Sequence, residues 1–222
     1  MRYVLIIIGI CFPINVWAQA APLEAPKVRS GVVISEVLWV GSPTSSADEW
    51  LELQNISDET ISLAGWTITR RASDGGTVTM ISFPEDAQIE AGEFFLIANY
   101  DAEKSALSVS PDLVSTSVSL ANSKLFLQLK DAEGEVIDAV DDGSGSPFAG
   151  GKNPYASMER IDPNSSGEDP NNWKTAEVSV GFDDGMEVMG TPRRGDEGAD
   201  VSEGAEENSS SNTSISSVTS AP

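Results

Sequence analysis

The sequence predicts an all-β fold, a sandwich or barrel of about eight short antiparallel strands. Three observations carry that expectation. Apolar and polar residues alternate with a period of two through the middle of the chain, and the alternating runs are separated by turn clusters such as "SDGG", "PEDAQIEAGE" and "DAEG". No stretch sustains a 3.6-residue period over three turns.

Taken in order, "VVISEVLWV" (32–40) is β-branched and aromatic-rich, and in "EWLELQN" (49–55) Leu51 and Leu53 alternate with Trp50, Glu52 and Gln54. "WTITR" (66–70), "TVTMISF" (77–83), "EFFLIANY" (93–100) and "DLVSTSV" (112–118) follow, then "KLFLQLK" (124–130) and "EVIDAVD" (135–141). Leu125, Leu127 and Leu129 share one face, with Lys124, Phe126, Gln128 and Lys130 on the other, the pattern of a half-buried antiparallel strand. Trp66 after Gly65 suits a buried aromatic at the start of a strand. Gly92 suits a turn before "FFLIA", and Asn55 at a strand end suits a side chain that satisfies turn backbone.

The ends read differently. "MRYVLIIIGICFPINVWAQA" (1–20) combines one positive charge, an apolar run and the ending Ala18-Gln19-Ala20, so a secretory signal peptide cleaved after Ala20 is expected. Its apolar run is interrupted by Pro13 and Asn15 and falls short of the roughly 20 residues a spanning helix needs. Cys11 follows Ile10 instead of a small residue, which argues against a lipid attachment site. Residues 21–30 read as an extended lead, and 31–192 as the folded domain. Residues 193–222, an acidic Ser/Thr-rich stretch without an aromatic residue, are expected to be a disordered tail. On this reading the mature protein is extracytoplasmic, has no membrane span, and relies on a hydrophobic core because no cysteine remains.

"VVISEVLWVGS", "DEWLELQNISDETISLAGWTITR", "IEAGEFFLIAN", "SLANSKLFLQLKDAEGEVIDAV" and "GTP" together resemble a lamin tail domain of the bacterial secreted type, over roughly residues 30–193. The most specific piece is E-W-L-E-L-x-N followed by L-x-G-W. The closing "SMERIDPNSSGEDPNNWKTA" is also similar to how bacterial members end. The resemblance implies an immunoglobulin-like β-sandwich acting as a binding or structural module; fold alone does not license an activity.

The residues exclude much chemistry. There is no histidine, and with Cys11 in the expected signal peptide no catalytic thiol, so Ser-His-Asp, Cys-His and ordinary zinc sites are ruled out. No lysine stands three residues after a serine, which removes the S-x-x-K arrangement. "GSGSPFAGGKN" (143–153) fails as a phosphate loop, since Ser146 stands where the first glycine belongs and Asn153 where the magnesium hydroxyl belongs. Among the acids of "DEWLELQN" (48–55), Glu49 and Glu52 project to opposite faces of a strand. Asp48 and Glu52 are separated by about 13 Å, at about 3.3 Å per residue, too far for a hydrolytic pair. No catalytic or cofactor-binding residue is therefore expected.

One metal candidate remains. In "DPNSSGED" (162–169), Asp162, Asn164 and Ser166 alternate ahead of Gly167, like the front half of a calcium loop, although Trp173 stands where the twelfth-position glutamate belongs. The pairs Asp141-Asp142 and Asp183-Asp184 are weaker signals of the same kind. The N-x-[ST] sites at Asn55, Asn164, Asn208 and Asn212 are not read as glycosylated. A net charge of −22 repels nucleic acid and anionic membranes, which leaves a protein or cell-surface component as the expected partner. The sequence thus leads to a non-catalytic exported binding or scaffolding module. The alternative is an accessory domain of a larger secreted hydrolase or nuclease.

Overall fold

The computed structural model describes residues 31–193; the expected signal peptide, the lead and all of the expected tail but Arg193 lie outside the described residues. In chain order the strands are β1 (Val32–Leu38), β2 (Trp50–Asn55), β3 (Ile61–Ser62), β4 (Thr67–Arg71), β5 (Thr77–Ser82), β6 (Gln88–Ile89), β7 (Phe94–Ala98) and β8 (Leu113–Val114). They continue as β9 (Leu127–Lys130), β10 (Val136–Val140), β11 (Gly151–Lys152), β12 (Tyr155–Ala156), β13 (Met158–Arg160), β14 (Trp173–Thr175) and β15 (Val188–Met189). Helical structure among the described residues is confined to two 3-10 turns, Ala102–Lys104 and Pro170–Asn172.

Two sheets make the sandwich. One has the order β14-β13-β1-β2-β7-β8 and the other β10-β9-β4-β5, with β11-β12-β15 and β3-β6 as small additions. The pairings are antiparallel except for the short β7/β8 and β12/β15 contacts. Between the main sheets lie Ile34, Val37, Leu51, Leu53, Ile97 and Met158 from the first, against Ile68, Ile81, Leu127, Leu129 and Val140 from the second. Each such buried aliphatic side chain contributes about 1.5–3 kcal/mol by leaving water. Trp66 joins this core immediately before β4, as its place after Gly65 predicts, and Phe83 meets Phe95 edge-on with ring centres 5.7 Å apart. Asn55, buried at the end of β2, donates through Nδ2 to the carbonyls of Glu59, Ile89 and Glu90, while its Oδ1 accepts from Ser57. It knits the turn as a strand-end asparagine should.

Register shifts interrupt the β4/β5 and β9/β10 pairings, and two further runs depart from strict alternation. In β1, Ile34 pairs with Leu53 and Glu36 with Glu52, so Ser35 is an extra residue, a β-bulge. The bulge reverses the phase of the strand: Val32 and Ile34 face the main core before it, and Val37 after it. Glu36 and Leu38 are thereby turned to the far face of the sheet. "DLVSTSV", expected as a strand, pairs only at Leu113–Val114. Beyond it the chain turns, with Val118 N–H donating to the Ser115 carbonyl.

The far face of the six-stranded sheet is buried too. Leu38, Trp50, Leu96 and Ala98 pack there with Ala106, Leu107 and Val188 in a second core, and Phe182 approaches Trp50 at 6.3 Å. This is why "VLWV" and "WLEL" are apolar on both sides of the period.

The two sheets are joined at the bulge by a buried ion pair. Arg160 of β13 binds Asp138 of β10 in a forked contact, Nη1 to Oδ2 at 2.6 Å and Nη2 to Oδ1 at 3.0 Å. Asp138 Oδ2 also accepts from Ile34 N–H, and Arg160 donates to the carbonyls of Ile34 and Ser165. Removing one partner strands the other charge without water. Asp138→Ala should therefore lower unfolding stability by about 3–5 kcal/mol in urea titration, and the paired replacement Asp138→Leu with Arg160→Met by much less.

Candidate functional site

The acids of "DEWLELQN" are drawn into the protein. Asp48 and Glu49 precede β2, and their side chains part as the alternation predicts. Asp48 Oδ2 accepts from Ala106 N–H at 2.8 Å on the second-core side, and Glu49 Oε2 from Leu120 N–H at 2.9 Å on the main-core side. Burial raises the Asp48 carboxyl, and pushes Glu49 up to about 7 against the opposing pull of Leu120 N–H and the Arg70 charge.

Glu52 belongs to a larger arrangement. Glu159 of β13, Glu36 of β1 and Glu52 of β2 are register partners, so three glutamates stand side by side across three neighbouring strands. All three are buried. Sequence reasoning misses the row because, of the three, it weighs only Glu52 as a chemical candidate. Placing Glu36 beside it requires knowledge of the bulge.

The C-terminal segment closes over the row. Glu36 Oε1 accepts from Ser157 Oγ and from Thr191 N–H, and Glu36 Oε2 lies 3.0 Å from Thr191 Oγ1. Thr191 Oγ1 is also 3.3 Å from Glu159 Oε1, and Glu159 Oε2 is 3.4 Å from Lys174 Nζ. Glu52 Oε1 accepts from Arg193 N–H at 2.6 Å, while the Arg193 guanidinium pairs with Asp112 and donates to the Ser110 carbonyl. One hydroxyl proton of Thr191 cannot serve two carboxylates at once. Thr191 Oγ1 stands between the two carboxyls and donates to one of them at a time. Burial pushes Glu36 up to about 7, and burial followed by the Glu36 charge holds Glu52 well above the usual carboxylate range.

The calcium candidate is a self-contained turn. Asp162 Oδ1 accepts from Asn164 N–H and Oδ2 from Ser165 Oγ, contacts that lower its carboxyl, that of Ser165 most. Ser166 Oγ accepts from Glu168 N–H. Asp162, Asn164 and Ser166 are thus occupied with hydrogen bonds inside their own loop. Among the described residues no group of three or more His, Cys, Asp or Glu side chains is placed to hold a metal ion. Gly167 has a packing reason of its own, since a Cβ there would lie 2.2 Å from the Ala139 carbonyl oxygen. The glycine-rich loop after β10 folds around Asp141, which accepts from the N–H groups of Asp142, Gly143 and Phe148. Asp183 N–H bonds to Ala106, in the edge of the second core.

Two packed, mainly antiparallel sheets define a β-sandwich of immunoglobulin-like type. A sequence model of the lamin tail domain matches residues 25–144, more than half of the 222-residue chain. The chain belongs to the lamin tail domain family, a non-catalytic family of interaction-type modules. A search of curated proteins finds no match. The match ends at Ser144, yet β13 and β14 complete the six-stranded sheet and Thr191 and Arg193 close the glutamate row. Among the described residues no helix is long and apolar enough to cross a membrane.

Two measurements follow from this geometry. Gly167→Ala should destabilise by about 1–3 kcal/mol, because the new methyl meets fixed backbone. Glu36 and Glu49 hold protons in the folded state that the unfolded chain releases near pH 4.5, so their stabilising effect is complete below about pH 4.5 and lost as pH rises through about 7. Urea midpoints should fall across that window, and Glu36→Gln should flatten part of the fall.

Proposed function

We propose that this protein is an exported, non-catalytic lamin-tail module that binds or scaffolds a protein or cell-surface component at or outside the cell surface. One observation carries the reading most. The buried carboxylates that might have done hydrolytic chemistry accept hydrogen bonds from the protein's own N–H groups, leaving loops and sheet edges as the presented surface. Export is supported by the signal-like pattern of residues 1–20, and an extracytoplasmic life by the acidic balance of 35 Asp and Glu against 13 Lys and Arg.

Two experiments test it. Fractionation of cells expressing the full-length gene should recover the protein in the envelope or medium, with Ala21 as its first residue. Retention in the cytoplasm with Met1 intact would sink the export half of the reading. Incubation with polysaccharides and nucleic acids, with and without calcium, should give no turnover. Hydrolysis that a chelator abolishes would overturn the non-catalytic half.

A further inference from the structure

The positive charge of this acidic protein is unevenly placed. Lys104, Arg160, Lys174 and Arg193 each form a salt bridge with a carboxylate. Arg70, Arg71, Lys124, Lys130 and Lys152 form none among the described residues, and the first three of these lie together, although the chain carries 35 acidic side chains that could neutralise them. All three line one open cleft of about 480 Å³, between the turn that joins β4 to β5 and the segment before β9. Ser73 and Ser123 add hydroxyls to the lining. Asp74 is the one carboxylate there, and its Oδ1 already accepts from Gly76 N–H.

The walls of the cleft are fixed by the backbone. Arg71 N–H donates to the Phe126 carbonyl, and Lys124 N–H to the Gly145 carbonyl at 2.7 Å. Arg71 Nη1 donates to the Gly143 carbonyl, and Arg70 Nη1 to the Arg71 carbonyl. Neither guanidinium is fully engaged by these contacts, since each carries five N–H donors. Three cations held around a concave surface, none in a salt bridge among the described residues and with Asp74 the one carboxylate in the lining, are what a carboxylate or phosphate group requires. The volume falls within the roughly 300–1,000 Å³ of small-ligand sites.

The geometry points to an anion-binding site: the Arg70, Arg71 and Lys124 cleft binds a carboxylate or phosphate oxyanion. Two sources present that chemistry. One is a free anionic solute. The other is the chain's own segment beyond Arg193, which carries Asp196, Glu197, Asp200, Glu203, Glu206 and Glu207. Extended at up to about 3.3 Å per residue, that segment is long enough to span a domain of this size.

The test uses the full chain in two forms, native and with those six acids changed to their amides. Each is titrated with inorganic phosphate and with a synthetic peptide of residues 195–207 while backbone amide resonances are followed. In the amidated form, both probes should shift the amides of residues 70–75 and 121–124 saturably. The shifts should fade in about 0.5 M salt, where screening is strong. Arg70→Gln with Lys124→Asn should weaken binding about tenfold or more, asparagine being chosen because Lys124 has a left-handed backbone, φ 55°. Lys124→Asn alone serves if the pair perturbs the core resonances. Native chain already showing the peptide-bound shifts identifies its own acids as the ligand. Native chain matching the amidated form, and responding only to phosphate, identifies a free solute; either result supports the site. No saturable shift at these amides with either probe, or shifts that the substitutions leave unchanged, overturns it.

Discussion

The forked contact between Arg160 and Asp138 is the constraint on which the arrangement of this sandwich rests. It links β13 of one sheet to β10 of the other, and it does so at the bulge in β1, whose Ile34 N–H and carbonyl it takes up. All four N–H groups on the two terminal nitrogens of Arg160 have acceptors. The pair is also covered by Trp173, whose ring lies 5.7 Å from the guanidinium carbon. Burial of two charges makes such a pair a poor source of net stability, but a strict one: a one-residue slip of β1 would carry Ile34 N–H and C=O away from Asp138 and Arg160 and leave those bonds unmade. The bulge it holds turns Glu36 away from the main core and into line with Glu52 and Glu159. The second core and the glutamate row are consequences of that half-turn in phase.

Interior acids here do for irregular segments what strand ladders do for sheets. Asp48 takes Ala106 N–H, Glu49 takes Leu120, Asp112 takes Leu96, Asp141 takes Phe148, Glu36 takes Thr191 and Glu52 takes Arg193. Long stretches between strands need partners for their backbone donors when they are buried, and carboxyl oxygens supply them, ionised or protonated. The accompanying desolvation raises several of these acids, which is a structural effect and carries no implication of catalysis. A high acid count in a small chain is thus divided between a charged exterior and an internal set of backbone clamps.

The sequence made the framework legible where a single residue's role follows from local pattern. Leu51, Leu53, Leu127 and Leu129 could be assigned to one face by period alone. Trp66 and Asn55 could be placed by their neighbours. The parting of Asp48 and Glu49 also followed from alternation. What it could not show depends on pairings far apart in the chain. The bulge at Ser35 shows only in register against β2, and Glu36 meets Thr191 across more than a hundred and fifty residues. The Trp50 and Glu52 face, open on the reading of one strand, is covered by segments from 105 onward and from 182 onward. Gly167 shows how one residue can answer to two constraints: it fits the sixth position of a calcium-loop pattern, and a Cβ there would lie 2.2 Å from the Ala139 carbonyl oxygen, which only the folded chain reveals.

The clamps on Thr191 and Arg193 also decide how the domain carries tension. A load entering from beyond Arg193 meets first the bonds to Glu52, Asp112 and Ser110, and next those of Thr191 to Glu36, so the segment peels away one contact at a time. A load entering at Val32 acts instead on β1, which is held along both edges by β2 and β13 and must shear several bonds together. As a link between two tethered partners, the domain would yield gradually at its C-terminal end while its sheets stayed closed.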